Sequence, residues 1–362
     1  MPPSPLFGGP NHGGNGHVRK ILAAAVTTAL VLPGALAQAA TNPQAADFVE
    51  RPLTLEVDGV RIPAALTVPG TGQPVAAIVL IPGSLYIDVD GNLPFMNLHP
   101  RMNADLAQQL AARGHAVLRF AKIGPGTGSE VIDPERIEVH WHFAERVVVA
   151  RAALRRLREE LGDKAQNVRV WAVAGHSEGA VVASLLFAAE APDVDAVISL
   201  SGPSVGLLGI MRDHASMFPG PDGKPADLSV FDQAAARIRR GEPLQPDAAR
   251  QPQLAMLATM DPKALAYIRE VDAVNPAQAL ATVDRPVVII QGGRDGSVSE
   301  EHAHRLVEAR GTMPTTLKVF PELQHFYKRA EPDMDPQAAF ALATETDPRV
   351  AEAIDGWLRS LR

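Results

Sequence analysis

The chain has no cysteine, few aromatics and no excess of positive charge, and each lack excludes something. Without cysteine there are no disulfides, no thiol nucleophile and no thiolate metal site. Stability must therefore come from a large core. Aromatics make up 5% of 362 residues against a hydrophobic content of 46%, so that core is aliphatic and alanine-rich. The formal charge of −7 argues against a nucleic-acid partner or an anionic membrane surface. The N-terminal apolar run, Ile21 to Leu32, is twelve residues long, whereas a membrane-spanning helix needs about 20. Internal repeats are also lacking.

That run has a use. Arg19 and Lys20 precede it, Pro33 and Gly34 break it, and Ala37-Gln38-Ala39 offers small residues for cleavage. This is the three-part layout of a secretory signal peptide. The expectation is a signal over residues 1–39, cleavage after Ala39, an exported (periplasmic or secreted) protein, and no stable membrane insertion afterwards. The mature chain from Ala40 would carry −9, since the leader holds two positive charges and no acids. A retained N-terminal anchor is the alternative. Residues 1–17 are Pro/Gly/Asn-rich, and translation from near Val18 would give a signal of ordinary length.

The most informative stretch is Gly175-His176-Ser177-Glu178-Gly179. A β-rich segment, Val168 to Ala174, precedes it. An apolar segment free of Gly and Pro, Ala180 to Ala189, follows. Strand, five-residue turn and helix are the setting of a nucleophile elbow, in which a tight turn exposes a serine above the sheet. The bland reading is a Gly-rich turn whose serine caps a helix.

A serine nucleophile needs a base, and the base needs an orienting carboxylate. Arg285 to Gln291 reads as a buried strand that breaks at Gly292-Gly293 and delivers Asp295. Thr315 to Phe320 reads as the next strand, ending in Pro321-Glu322-Leu323-Gln324-His325. Both residues thus fall past the C-terminal ends of strands, where open α/β sheets bind ligands. Asp333 and Asp335 are rival acids, but they follow the histidine.

With these residues the chain resembles the serine-hydrolase branch of the α/β-hydrolase superfamily. Ile81 to Asn92 (IPGSLYIDVDGN) is similar to the loop GSGPxDRDGN of a group of bacterial esterases, within a serine aminopeptidase-like branch. Ala121 to Ser129 is similar to their Gly-rich turn DKRGxGxS. The resemblance spans residues 53–361 and is faint over 203–283. It implies Ser177 as nucleophile, Asp295 as acid and His325 as base. It also implies an oxyanion hole formed by the backbone N–H groups of Glu178 and Ser84. Leu85, Tyr86 and Val89 depart from the loop pattern, which puts the shape of the hole, and Ser84 with it, in question. Asp88, Asp90 and Asn92 are expected to tie that loop together; a cation between them is the alternative.

The fold class that follows is α/β: an α/β-hydrolase fold, mostly parallel and doubly wound, over residues 40–362. A helical cap is inserted at about 203–283. A hairpin (Leu53–Val57, Asp58-Gly59, Val60–Val68), strands at Val75–Ile81 and Val194–Leu200, a long helix at Val139–Leu161 and a closing helix at Arg349–Leu361 complete the pattern. Met211, Met217, Met256, Leu257 and Met260 line an apolar pocket or simply form the cap's own core. His140 and His142 would diverge on a helix, which disfavours a metal. His99, His115, His302 and His304 have no visible convergent partner.

The leading function is a serine hydrolase of small carboxylic esters, working through an acyl-enzyme without a cofactor. The nearest alternative is an exported peptidase or aminopeptidase, with Glu178 as a candidate for holding a substrate amino group. Thioesterase and lactonase activities stay open. From another class comes a non-catalytic periplasmic binding module.

Overall fold

The computed structural model describes residues 47–189, 193–217, 227–245 and 252–361. The signal-peptide expectation lies outside these. The described residues all belong to one compact unit.

The described chain opens with a hairpin, β1 (Phe48–Val57) and β2 (Val60–Pro69), paired antiparallel with Val57 opposite Val60. Asp58 and Gly59 both have positive φ, 43° and 78°, as a two-residue turn that matches the strand twist requires. Then come β3 (Ala76–Ile81), α1 (Met102–Ala112), β4 (Ala116–Phe120), the short β5 (Glu130–Val131), α2 (Glu145–Leu161), β6 (Val170–His176), α3 (Glu178–Ala189) and β7 (Ala196–Leu200). Four helices follow: α4 (Leu207–Met217), α5 (Ser229–Arg239), α6 (Pro252–Thr259) and α7 (Pro262–Ala273). The chain ends with α8 (Pro276–Ala281), β8 (Val287–Gly292), α9 (Glu300–Arg310), β9 (Thr315–Phe320), α10 (Pro336–Phe340) and α11 (Pro348–Ser360).

The strand order is β1-β2-β4-β3-β6-β7-β8-β9, with β5 beside β2. From β4 through β9 every pairing is parallel. Such a sheet must be covered on both faces, and its strands show it. All six residues of β3 are buried, and they alternate between two cores. Ala77, Val79 and Ile81 pack with α2 and α3; Ala76, Ile78 and Leu80 pack with α1 and α11. The doubly wound α/β fold is therefore present.

Helices α4 to α7 pack around a third, separate core that includes Leu208, Phe231, Ile238, Leu257 and Ile268. Met211 and Met260 pack against this core. The helix expected over 139–161 is shorter: α2 begins at Glu145, and Ile137–Trp141 forms a 3-10 turn. The break falls at His142, whose extended backbone (φ −105°, ψ 140°) ends that turn. Among the described residues, no helix is long and apolar enough to cross a membrane.

Candidate active site

The turn from β6 into α3 is a strained one. Ser177 sits at φ +54°, a left-handed conformation that costs an ordinary residue about 1–2 kcal/mol. Two main-chain bonds hold it: its N–H donates to the Leu200 carbonyl (2.8 Å), and its own carbonyl accepts from Ala180 N–H (2.9 Å). The flanking glycines are required by space. A Cβ on Gly175 would meet the Gly179 carbonyl oxygen at 2.1 Å; one on Gly179 would meet the Ile81 oxygen at 2.4 Å. Gly83, from the loop after β3, closes on the elbow, where an added Cβ would lie 3.3 Å from that of Ser177.

The structure brings Asp295 and His325 together. Asp295 follows β8, and its side chain is fully buried. Its Oδ1 accepts the N–H groups of Ser297 and Val298, each at 2.8 Å. His325 lies in the turn after β9, where Gln324 N–H donates to Lys328 and Tyr327 N–H donates back to Gln324. His325 Nδ1 is 2.8 Å from Asp295 Oδ2 and 3.0 Å from Oδ1. A proton on Nδ1 satisfies both and leaves the Nε2 lone pair able to accept a proton. Burial alone would push the Asp295 carboxyl up. His325 and the two N–H groups outweigh it and hold the carboxyl below its usual range.

His176, inside the elbow motif, was not read as functional in the sequence. Its ring lies 4.6 Å from that of His325, and its Nε2–H donates to the His325 carbonyl at 2.9 Å. Burial, then the neighbouring His325, push its pKa down to about 3, so it stays neutral. Phe340 of α10 stacks on the His325 ring at 6.3 Å. His325 is thus fixed by a carboxylate, a backbone bond and two rings.

Glu178 opens α3, so its backbone N–H has no acceptor within the helix. Ser84, on the loop after β3, donates its Oγ–H to Glu178 Oε2 at 3.1 Å. The two segments expected to form the oxyanion hole are thereby joined. The loop itself is tied as expected: Asp88 Oδ1 accepts from the N–H groups of Asp90 and Asn92, and Asn92 Nδ2 donates to Asp88 Oδ2. Asp90 is engaged by the buried Arg119 at 2.8 Å. Leu85 takes φ +67° and is 45% exposed. A left-handed residue there explains why glycine stands at this position in the loops it resembles.

The Glu178 carboxylate has other partners. Arg146 of α2 lies at 2.6 Å and Lys122, from the Gly-rich turn, at 3.1 Å, both on Oε1. Arg146 also donates to the Pro82 carbonyl at 2.9 Å. Burial pushes the Glu178 carboxyl up, but Lys122 and Arg146 prevail and keep it ionised below its usual range. This corrects the idea of Glu178 as a seat for a substrate amino group. Lys122 lies in a stretch whose resemblance was noted; nothing local marks Arg146.

Ser177 lines a small cavity of about 50 Å³, partly open to solvent. Ser84, Ser177 and Glu178 are its polar members; Phe143, Val181, Leu207, Ile210, Val271 and Val298 supply much of the apolar wall. No methionine lines it among the described residues. Met211 and Met260 pack against the core of α4 to α7, and the side chains of Met217 and Met256 lie outside the description. His302 proves to have partners: its Nδ1 is 2.8 Å from Ser204 Oγ and its Nε2 is 3.3 Å from Asp213. This set ties the base of α4 to α9. His115 is a core residue paired with Asp355 at 2.8 Å. His140 is 3.5 Å from Glu145.

Comparison with known proteins agrees with this architecture. The chain is 26% identical over 312 residues to the esterase EstD of Thermotoga maritima, covering 86% of this chain and 68% of that one. The solved structure of Est1E from Butyrivibrio proteoclasticus with ferulic acid bound superposes with a TM-score of 0.52 at 18% identity, covering 85% and 98% of the two chains. The esterase Pf2001 of Pyrococcus furiosus gives 0.51 at 12% identity, covering 88% and 95%. At such identities the two structures speak for the fold. Residues 96–331, a span that holds the elbow, Asp295 and His325, match the family described as serine aminopeptidase, S33. The chain is an α/β-hydrolase and belongs to that family.

Proposed function

We propose that the protein is a serine carboxylesterase acting on small esters with an apolar group next to the carbonyl. The observation that carries this is the buried Asp295–His325 pair, which His176 ties to the elbow where the next residue, Ser177, is held at positive φ and lines an apolar cavity. In this reading Ser177 Oγ attacks the ester carbonyl while His325 Nε2 takes its proton. The N–H groups of Glu178 and Ser84 receive the negative oxygen of the tetrahedral intermediate. The intermediate collapses, the alcohol leaves with the proton from His325, and an acyl-serine remains. Water, deprotonated by His325, then releases the acid and restores Ser177. Asp295 keeps the imidazole in the required tautomer and balances its positive charge.

Ester rather than amide is supported by the cavity. An aminopeptidase must hold a substrate ammonium, and that calls for an unpaired carboxylate. The carboxylate beside this nucleophile is already held by two cations. The esterase names of the relatives point the same way. The test is turnover of p-nitrophenyl esters from acetate to octanoate, and of matched aminoacyl amides, by wild type and Ser177→Ala. Ester turnover that disappears in the variant is expected. A higher rate on the amides would replace this reading with a peptidase. No turnover of either by folded protein would favour a binding module. We propose further that the protein is exported after cleavage behind Ala39; sequencing the mature N-terminus tests it.

A further inference from the structure

We infer that Lys122, Arg146 and Glu178 form a buried, net-positive positioning element for the oxyanion hole. It holds Ser84 at the cavity wall and supplies charge against the oxyanion of the tetrahedral intermediate. The inference rests on the esterase reading above and concerns three charged side chains to which that reading gives no part in the reaction.

Three charged side chains meet here. The Lys122, Arg146 and Glu178 side chains are only 10%, 13% and 7% exposed. Two cations share one carboxylate oxygen, which leaves one positive charge in excess. Among the described residues no second carboxylate touches Lys122 or Arg146. A buried charge without a counter-charge is costly, and folds do not retain one without cause. The missing anion is one that exists only during the reaction. When Ser177 adds to the carbonyl, the substrate oxygen becomes negative beside Ser84 and Glu178, the two residues this cluster fixes. The excess charge then stabilises the intermediate more than the neutral substrate, which is the condition for acceleration.

The connections are positional as well. Glu178 Oε2 accepts from Ser84 Oγ, and Arg146 donates to the carbonyl of Pro82, two residues before it. The oxyanion loop is thus pinned to the elbow helix α3 at Ser84 and to α2 at Pro82. Tyr267 of α7 lies close enough to Arg146 to feel its charge, which places the cap beside the same cluster. The titratable groups around Lys122 are Glu178 from α3, Arg146 from α2, and beyond them Tyr267 and Tyr86. Burial raises both phenols, so they stay neutral. Burial, then Arg146, bring Lys122 down to about 8 against the pull of Glu178. Its charge is therefore present below that pH and lost above it.

The test is Lys122→Met and Lys122→Arg in the full chain, with wild type and Ser177→Ala alongside. Lys122→Met leaves Glu178 neutralised by Arg146, so the fold is expected to stand; circular dichroism checks it. We expect kcat on p-nitrophenyl butyrate to fall at least tenfold, roughly. KM should change by no more than about twofold. The wild-type rate should decline as pH rises through about 8. That decline should vanish in Lys122→Met and move to higher pH in Lys122→Arg, with kcat recovered. A folded Lys122→Met with wild-type kcat and an unchanged alkaline decline overturns the inference. Should Lys122→Met fail to fold, the wild-type and Lys122→Arg pH profiles decide, and profiles that coincide overturn it. Wild type without Ser177-dependent turnover overturns the esterase reading itself.

Discussion

Replacing Gly175 by alanine adds one methyl group, and the structure fixes where it goes. The new Cβ would lie 2.1 Å from the Gly179 carbonyl oxygen, 2.3 Å from its carbon and 2.5 Å from Ala180 N. All three are main-chain atoms in the first turn of α3, so no side chain can swing aside. To restore ordinary contact the elbow must open by roughly 1 Å, and a 1 Å misplacement costs about a hundredfold in rate. Overpacking of this kind also costs about 1–3 kcal/mol of stability. Gly179→Ala meets the Ile81 and Pro82 carbonyls in the same way, at 2.4 and 2.8 Å. Gly356, on the exposed side of α11, has nothing within 4 Å of its added Cβ. There the same substitution removes glycine from a helix interior and should stabilise by about 0.5–1 kcal/mol. The assays are urea unfolding and ester turnover for the three variants. Gly175→Ala with wild-type kcat and wild-type stability would refute the reasoning, because it would mean the turn is not as tight as described.

Two further predictions concern charge. Asp295→Asn keeps the shape of the pair but reverses the tautomer demanded of His325, so kcat should fall by about 10⁴-fold with KM little changed. Steady-state kinetics at neutral pH check it. Glu145 starts α2, and burial, then Asp58, raise its carboxyl to about 7 from 4.5. A carboxyl raised on folding weakens the fold as pH climbs from about 4.5 to about 7. Glu145→Gln removes that cost: it should gain about 1–2 kcal/mol near pH 8, allowing for solvent screening. It should gain nothing near pH 4. Equal effects at the two pH values would contradict the assignment.

What the sequence made legible follows from how local each signal is. The hairpin announced itself through Asp58-Gly59, where two positive φ angles favour those residue types. The elbow was legible because its glycines are demanded by contacts within five residues or with the neighbouring strand. Asp295 and His325 could be found because each ends an apolar run of clear length. The Glu178 cluster was not legible. Lys122 and Arg146 stand 56 and 32 positions from Glu178, and the Ser84 they help to hold stands 94 away; nothing in the flanks of Arg146 marks it as different from the other arginines of α2. From the sequence alone the carboxylate of Glu178 therefore looks available to a substrate, while its backbone position after Ser177 is plain. His176 was hidden for another reason: its work is to hold a backbone carbonyl 149 positions away. The helix expected from Val139 started late because its apolar pattern runs on through a 3-10 turn, which the pattern alone does not distinguish.

The central claim is that Ser177 is the nucleophile, activated by His325 and Asp295. The most direct measurement is intact-protein mass spectrometry after treatment with a fluorophosphonate, followed by peptide mapping. The account predicts one phosphonyl group on Ser177 in wild type, much slower labelling of His325→Ala, and none in Ser177→Ala. Well-folded wild type that stays unlabelled, or a label that persists in Ser177→Ala, would contradict it.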